Sequence, residues 1–488
     1  SSVADKTLSP VDAFDVNPAP FHRVQDRNKI SPEISPAQSS AANLFSLHLS
    51  ELRRATSTDL FRHLDEAIEW MQLAPLSFLD SARVDAFCRH IPKVDLHRHL
   101  EGSLRPQTLL DVAERHGISL PTRDLEELRK LVQVTPEDRT LLDFLSKFGT
   151  IGPVFKSRQV IGELTRETIV DAARDNVTHV ELRFSPWYMA EAHGLDLEEV
   201  IHGVLQGVRE ASQCCTTSTR LILVVERQMP LGRAEVVERL AEKYADCGVV
   251  AIDLANDEHN YAPGPFAQVF RRAKKAGLAI TVHAGEAGGA ENVATSIHEL
   301  RADRIGHGVR TCEDPSVQEL VRTSGTTLEL CPTSNVQTGA VEGLESHPLK
   351  TYLDVGLKVT VNTDDPEISG ITLSGEYSTV IKQFGLSVAE VSQLVTNGVD
   401  GAFLAEGERS VVRGRVAHGL AGALTQLADS LTLAELRELA IAGIAKSGFA
   451  PDVQQRLIKR IDERINVLVG QLQQATFSNG VGGGVLPW

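Results

Sequence analysis

Two histidines occupy alternate positions of an apolar run in the segment KVDLHRHLEG, residues 93–102. In a β-strand, residues i and i+2 point to the same face, so His97 and His99 can present two imidazoles to one metal ion. Imidazole is a good ligand for zinc, iron and nickel. Alternating histidines by themselves more often form an ordinary polar strand face. The metal interpretation therefore depends on further ligands elsewhere in the chain.

Three later segments place imidazoles and carboxylates directly after short apolar runs. They are VHAGE with His283 and Glu286, GHG with His307, and NTDDP with Asp364 and Asp365. Each motif has an ordinary structural explanation, since Gly-His-Gly is common in turns and Asp-Asp-Pro at helix starts. Structure alone explains less easily why all of them follow predicted strands. The pattern therefore predicts a reactive site at one end of a sheet.

Three imidazoles and one carboxylate can hold a divalent ion and leave one position open for water. The predicted ligands of a single zinc ion are His97, His99, His283 and Asp364. Bound zinc lowers the pKa of water toward about 7 and so produces a hydroxide nucleophile at neutral pH. Glu286 is placed to act as a proton donor and acceptor. His307 is expected to orient the hydroxide, and Asp365 to contact the substrate.

These groups need strands to hold them, and eight short apolar or β-branched runs occur in the middle of the chain. They span residues 93–98, 178–184, 220–226, 249–254, 278–283, 303–307, 326–331 and 357–363. Helical patterns separate most of them, which implies parallel strands with right-handed crossovers. Eight such units predict an α/β fold, a (β/α)8 TIM barrel, whose reacting groups lie at the carboxyl ends of the strands. An open doubly wound sheet is the alternative, but the chain lacks its G-x-G-x-x-G turn.

The chain divides into five predicted segments. They are an extended Pro/Ser-rich arm, an N-terminal helical cap, the metal-dependent barrel, C-terminal helices and a flexible tail, at residues 1–42, 43–90, 91–410, 411–477 and 478–488. A helical insertion follows strand 1 and contains LLDFLSKF, residues 141–148. Because loops after barrel strands cover the active-site mouth, this insertion is a lid candidate. Extra packing at the barrel rim is the alternative.

The formal net charge is −16, from 65 acidic and 49 basic residues. Such a chain repels nucleic acid and anionic membranes, so a small molecule is the expected partner. We find no stretch near the roughly 20 apolar residues of a membrane span and no secretory signal pattern. The six cysteines form no C-x-x-C pair, and we expect a cytoplasmic protein with reduced thiols. Homo-oligomerisation through the terminal helices is left open.

Seven longer runs of the sequence contain most of the residues named so far. They are KVDLHRHLEGSLRP (93–106), VELRFSP (180–186), VVAIDLANDE (249–258), TVHAGEAGGAENV (281–293), RIGHGVR (304–310), LELCPTSN (328–335) and VNTDDPEI (361–368). Together, over about residues 90–410, they resemble the adenosine deaminase family of zinc aminohydrolases, within the amidohydrolase superfamily. The resemblance implies hydrolytic removal of the 6-amino group of adenosine or 2′-deoxyadenosine, giving inosine or 2′-deoxyinosine and ammonia.

Carried over to this chain, the resemblance implies zinc on the four ligands named above, with Glu286 protonating purine N1. His307 and Asp364 would position the hydroxide that attacks C6, and Asp365 would hold N7. The predicted substrate contacts are His99, Glu101, Asn256, Asp365 and an apolar gate that includes Phe144 and Phe148.

Two of these positions differ from the usual family pattern. Glu101 stands where adenosine-specific members carry Asp, at the position that faces the ribose 5′ hydroxyl. Asn256 stands where the family has a glycine whose backbone donates to N3. These two changes leave open how the sugar and the base of the substrate are recognised.

Several alternatives stay open. Within the same chemistry they are free adenine, which Glu101 favours, 6-aminodeoxyfutalosine and an N6-modified nucleotide. AMP would need a cationic phosphate site, for which Arg98 and Arg105 are the candidates. A non-catalytic binding or signalling protein on the same fold would be favoured by loss of a ligand or of the acid, and none is missing. A two-metal hydrolase would need a lysine in strand 4, which residues 249–254 lack, and the Pro-Cys-x-x-Cys signature of cytidine-type deaminases is absent.

Overall fold

Eight parallel strands, paired in chain order from β1 to β8, form the centre of the protein. The computed structural model describes residues 48–55 and 62–480. The strands are β1 (Lys93–His99), β2 (Val177–Phe184), β3 (Ser218–Glu226), β4 (Val249–Ala255), β5 (Ala279–Ala284), β6 (Arg304–His307), β7 (Thr327–Leu330) and β8 (Val359–Val361). All eight predicted strands are present, each with ends within two residues of the prediction. The predicted (β/α)8 TIM barrel is confirmed.

Helices surround the barrel, and further helices precede β1 and follow β8 in the chain. Before β1 lie α1 (Leu49–Ala55), α2 (Asp65–Met71) and α3 (Ser81–His90). Between β1 and β8 lie α4 (Pro106–Arg115), α5 (Leu125–Val132), α6 (Leu141–Ser146), α7 (Phe148–Ile151), α8 (Arg158–Arg174), α9 (Pro186–Glu191), α10 (Leu197–Ser212), α11 (Leu231–Lys243), α12 (Ala267–Lys275), α13 (Ala290–Thr295), α14 (Pro315–Ser324), α15 (Pro332–Gln337) and α16 (Leu349–Asp354). After β8 follow α17 (Pro366–Ser369), α18 (Leu373–Phe384), α19 (Val388–Gly401), α20 (Glu406–Asp429), α21 (Leu433–Lys446) and α22 (Pro451–Gly480).

The segment between β1 and β2 forms the helical insertion that the sequence predicts, and it contains α4 to α8. Its helix α6 begins with a capping box, in which Thr140 and Asp143 satisfy each other's backbone N–H groups. Phe144 in the same helix is buried. The insertion is thus a folded part of the barrel's upper surface.

The barrel closes between β1 and the residues that follow β8. The Asp364 N–H donates to the His97 carbonyl, and the His99 N–H donates to the Asp364 carbonyl, both at 2.8 Å. The side chain of Asn362 adds a bond by accepting the Leu96 N–H at 2.9 Å. Asp364 adopts a left-handed φ of 60° at this point, and β8 ends at Val361, two residues before the predicted end. Closure of the sheet places Asp364 between the two histidines of β1.

Helices that precede β1 contact helices that follow β8. α2 packs closely against α21, and Gly443 of α21 has no room for a side chain beside the Trp70 carbonyl. The predicted arm, residues 1–42, lies outside the described residues, and the described part of the predicted tail ends with α22 at Gly480. Among the helices described, none combines the length and apolar character needed to cross a membrane. The predicted segment boundaries themselves stay predictions.

Gly443→Ala is expected to loosen the contact between α2 and α21. A Cβ at this position would lie 1.8 Å from the Trp70 carbonyl oxygen, so the two helices must separate, at a cost of about 1–3 kcal/mol. Gly414→Ala is the matched control, because Gly414 lies in α20 and a Cβ there would meet nothing within 4 Å. Alanine there should stabilise the helix by up to about 1 kcal/mol. Urea unfolding measures both, and equal midpoints for the two variants would contradict the packing.

Candidate active site

The four predicted metal ligands converge at the carboxyl ends of the strands. His97 and His99 come from β1, His283 comes from β5, and Asp364 follows β8. Each offers one donor atom, and these atoms all lie within 4.8 Å of one another. Asp364 Oδ1 is 3.2 Å from His97 Nε2 and 3.4 Å from His99 Nε2. The Nε2 atoms of His99 and His283 are 3.3 Å apart.

This donor set fits a zinc ion. Ligand atoms about 2.0–2.1 Å from zinc in a tetrahedral arrangement lie about 3.3 Å from one another, which agrees with the three distances of 3.2, 3.3 and 3.4 Å given above. His97 Nε2 is buried and has no hydrogen-bond partner, and a cation at the common point would satisfy it. Burial lowers the pKa of His97 to about 4. Its imidazole is therefore neutral and able to bind a metal.

A buried carboxylate holds the other ring nitrogen of two of these histidines. His97 Nδ1 donates to Glu329 Oε2 at 2.7 Å, and His283 Nδ1 donates to Asp253 Oδ1 at 3.0 Å. Because Nδ1 carries the hydrogen in each ring, Nε2 keeps its lone pair for a metal. Such outer carboxylates orient metal-binding imidazoles and make them more basic.

The two carboxylates belong to a buried network of ion pairs inside the barrel. Arg183 donates to Asp253 Oδ2 and to Glu329 Oε2, both at 2.7 Å. Arg304 pairs with Glu329 and, at 2.6 Å, with Glu181. All five side chains are at most 1% exposed. Removing one partner would leave a buried charge without compensation, so the network is stable only when complete.

Glu286 lies on the loop after β5, beside His307. Its Oε2 is 3.5 Å from His307 Nε2, and Thr338 Oγ1 donates to its Oε1 at 3.0 Å. Burial, together with repulsion from Asp364, raises the pKa of Glu286 above its ordinary value. A raised pKa favours the protonated carboxyl, which is the form that can act as a general acid.

The loop that carries Glu286 is held by Glu258. The carboxylate of Glu258 accepts the N–H of Gly285 at 2.8 Å and those of Glu286 and Ala287 at 2.9 Å. A Cβ on Gly288 would lie 2.7 Å from Glu258 Oε1, so a glycine there leaves room for the carboxylate. The position of the acid is therefore set by a second, ionised carboxylate beneath its backbone.

Two predicted substrate contacts expose unused polar atoms to the site. Asp365 Oδ1 and Glu101 Oε2 are buried and have no hydrogen-bond partner, while Glu101 Oε1 accepts the Ser185 N–H at 2.7 Å. Burial raises the pKa of Glu101 to about 8. Burial and the adjacent Asp364 hold the pKa of Asp365 well above its ordinary value. Protonated carboxyls at these positions can donate hydrogen bonds to a ligand.

One cavity of about 330 Å³ joins these groups. Every residue predicted from the sequence to be catalytic or to touch substrate lines it, namely His99, Glu101, Phe144, Phe148, Asn256, Glu286, His307, Asp364 and Asp365. The insertion supplies the apolar wall, and the Tyr188 hydroxyl donates to the Phe148 carbonyl at 2.6 Å, which ties α9 to that wall. Asn256 adopts a left-handed φ of 79°, a conformation that asparagine tolerates better than most side chains. The volume is suited to one small molecule.

Sequence reasoning missed the residues that support the site. Asp253 and Glu329 are single acids inside otherwise apolar strands, a signal that was available because buried acids need partners. Glu258 ends the run VVAIDLANDE, and Glu226 lines the cavity at the end of β3. No sequence signal indicates the partners of these four residues, because those partners lie on other strands and on the loops that follow them.

A (β/α)8 barrel with three histidines and one aspartate at its strand ends, beside a buried acid, is the arrangement expected of barrel hydrolases that use a metal ion. Comparisons with known proteins narrow this class. Residues 92–419 match the family model described as adenosine deaminase. The adenosine deaminase of Klebsiella pneumoniae (strain 342) is 41% identical over 330 residues, which are 67% of this chain and 98% of the relative.

Two solved structures are also similar. Adenine deaminase from Arthrobacter aurescens is 32% identical with a TM-score of 0.63, over 68% of this chain and 99% of that chain. Arabidopsis N6-mAMP deaminase is 25% identical with a TM-score of 0.61, over 68% of this chain and 99% of that chain. The chain belongs to the adenosine deaminase family, and it is an enzyme with aminohydrolase activity.

Asp253→Asn is expected to weaken zinc binding by about 10- to 100-fold, because outer partners of metal-binding histidines contribute on that scale. An amide has one acceptor oxygen, so it cannot serve both Arg183 and His283 as the carboxylate does. Competition with a chelator measures the affinity. Asp257→Asn, at the more exposed neighbouring acid, is the matched control and should bind zinc as the unsubstituted protein does.

His99→Ala is expected to reduce zinc affinity more than Asp253→Asn does, because it removes a predicted ligand altogether. It should leave the folded protein without stoichiometric zinc. Full zinc content in purified His99→Ala protein would contradict the ligand set, and unchanged affinity in Asp253→Asn would contradict the role of the outer carboxylate.

Proposed function

We propose that this enzyme hydrolytically deaminates the 6-amino group of a purine nucleoside, converting adenosine or 2′-deoxyadenosine to inosine or 2′-deoxyinosine with release of ammonia. The observation that carries the proposal is the cluster of His97, His99, His283 and Asp364, three of which line one cavity together with the acid Glu286. Membership of the adenosine deaminase family supports the same reaction. The relative of 41% identity is an adenosine deaminase.

The proposal includes one zinc ion per chain, held by His97, His99, His283 and Asp364. Zinc at such a site lowers the pKa of water toward about 7, which supplies a hydroxide nucleophile at neutral pH. This assignment is supported by Asp364 Oδ1, which lies 3.2 Å from His97 Nε2 and 3.4 Å from His99 Nε2, and by the clustering of all four donor atoms within 4.8 Å of one another.

The protein's own groups then perform the proton transfers. Water adds across the C6=N1 bond of the purine, placing a hydroxyl on C6 and a hydrogen on N1. The exocyclic C6–N6 bond then breaks, and the hydrogen of the C6 hydroxyl goes to the departing amino group, which gives ammonia and the 6-oxo purine. Glu286 gives the proton to N1, which makes C6 more electrophilic, and Thr338 steadies the Glu286 carboxyl through its 3.0 Å hydrogen bond. Asp365, with Oδ1 unpartnered and its pKa raised, can donate to N7. The apolar wall of Phe144 and Phe148 keeps bulk water from the base.

The charge of the cavity favours a substrate without phosphate. Acidic side chains contribute to its wall beyond the metal-binding cluster, since Glu191 and Glu226 also line it. Neither Lys nor Arg is among the described lining residues. Arg98 donates to Ser103 at 3.1 Å, and Arg105 pairs with Glu167 at 2.8 Å, so both candidate phosphate ligands are engaged elsewhere. An N6-modified nucleotide therefore fits this cavity poorly.

Free adenine is the second candidate substrate. Glu101 is the observation that favours it, because the carboxyl at this position differs from the family's usual aspartate and keeps one oxygen unpartnered. The similar adenine deaminase at 32% identity supports the same possibility. The cavity, at about 330 Å³, has room beyond the base, and this supports the nucleoside as the first choice.

An ammonia-release assay over adenosine, 2′-deoxyadenosine, adenine, 6-aminodeoxyfutalosine and AMP tests the substrate. We expect kcat/KM for adenosine to exceed that for AMP by at least about 100-fold, since like charges brought together cost several kcal/mol. Glu226→Gln removes one acid from the wall and should narrow that gap. A higher kcat/KM for adenine than for adenosine would replace the nucleoside with the second candidate, and no release from any of the five would refute deamination.

Glu286→Gln is expected to retain zinc but to lower kcat by at least about 10²–10⁴-fold, the usual contribution of a general acid or base. Glutamine keeps the shape of the side chain and removes its transferable proton. Metal analysis and steady-state kinetics on the best substrate check both parts. Near-normal turnover in this variant would show that another group protonates N1.

A further inference from the structure

A chain of hydrogen bonds leads from His307 away from the cavity, and its direction can be worked out from one fixed donor. The chain of bonds contains His307 at the end of β6, Asn335 in α15 and His347 before α16. All three side chains are at most 4% exposed. Solvent therefore does not supply alternative partners, and each hydrogen must lie between the atoms that face each other.

The fixed donor is the backbone N–H of Leu349, the first residue of α16. The first N–H groups of a helix have no partner within the helix, and this one donates to His347 Nδ1 at 3.2 Å. Because Nδ1 accepts, it carries no hydrogen. Burial lowers the pKa of His347 to about 3, so the ring is neutral and its single N–H is at Nε2.

The His347 Nε2–H faces Asn335 Oδ1 at 3.2 Å. The Cys331 N–H also points at this oxygen, at 3.4 Å. Two donors thus fix the amide of Asn335 with its oxygen toward them, since the flipped amide would set its own hydrogens against both. The Asn335 Nδ2 group is then left to donate to His307 Nδ1 at 3.0 Å.

We propose that Asn335 and His347 are positioning residues that hold His307 in the tautomer with its hydrogen on Nε2. With Nδ1 accepting from Asn335, the only ring hydrogen of His307 is on Nε2, the nitrogen that lies 3.5 Å from Glu286 Oε2 and 4.0 Å from Asp364 Oδ2. His307 therefore meets the oxygen that attacks C6 as a hydrogen-bond donor. It is not the group that takes a proton from that oxygen.

This inference rests on the proposed function for its catalytic meaning, but the tautomer is a property of the protein alone. The backbone of His307 adds to it, because φ of 61° lies in the left-handed region, a strained conformation that surrounding contacts must hold. The hydrogen bonds from His347 through Asn335, together with this backbone conformation, fix the orientation of the His307 imidazole. A donor lost from such a site costs about 10²–10³-fold in kcat.

The tautomer can be read by NMR of the zinc-loaded, substrate-free protein with ¹⁵N-labelled histidine. The His307 signals are identified by their absence from His307→Ala protein. We expect an unprotonated Nδ1 and a protonated Nε2. In Asn335→Asp, a carboxylate faces Nδ1, so Nδ1 should become protonated. A protonated Nδ1 in the unsubstituted protein, or an unchanged pattern in Asn335→Asp, would overturn the proposal.

Kinetics of two His347 variants test the hydrogen bond from His347 to Asn335. His347→Gln retains a side-chain N–H donor for Asn335, whereas His347→Leu has none. We expect kcat in the leucine variant to fall by about 10²-fold, with KM within about threefold and zinc retained, and we expect glutamine to restore most of the loss. Equal kcat in the two variants would show that His347 does not act through its hydrogen bond. If no aminopurine is turned over, the proposed function fails, while the NMR result still decides the tautomer.

Discussion

The Arg183 guanidinium holds together two carboxylates, Asp253 and Glu329, that each orient a metal-facing imidazole. Both acids would be too costly to bury alone, because a buried charge without a partner destabilises a fold by several kcal/mol. Arg183 and Arg304 supply the compensating charge from β2 and β6. The interior of this barrel is therefore polar below its reactive end, where many barrels are packed with branched apolar side chains.

This network ties the chemistry of the site to the closure of the fold. β1 carries His97 and His99, β4 carries Asp253, β5 carries His283 and β7 carries Glu329. Each strand must be in register for the donor atoms to lie within 4.8 Å of one another. A shift of one residue in any strand would turn its side chain to the other face of the sheet. The convergence of these donor atoms consequently depends on correct strand pairing.

The site also concentrates backbone strain. Among the described residues, five non-glycine positions have a left-handed φ, and three of these, Asn256, His307 and Asp364, line the cavity. Such conformations cost free energy and persist where surrounding contacts determine them. Here those contacts are the closure bonds of Asp364 and the amide of Asn335. Three of the five strained positions in the described part of the chain therefore belong to residues that line the cavity.

The type and order of the elements followed from the sequence, because alternating apolar runs and helical patterns are local properties. The eight strands, and the meeting of His97, His99, His283 and Asp364, could be predicted from those runs and from the residues at their ends. The spacing of His97 and His99 determined that two imidazoles share a face, since that depends on the geometry of one strand alone.

Tertiary structure decided what depends on partners distant in sequence. Glu329 is 232 residues from His97, Asp253 is 30 residues from His283, and Glu258 reaches the loop of Glu286 from 28 residues away. No local pattern shows which acid meets which ring, or that Asn335 donates to His307 while His347 orients it. The sequence by itself determined which residues could do chemistry and on which strand ends they stand. Only the folded chain decided their hydrogen-bond directions and protonation, because burial and long-range partners set both.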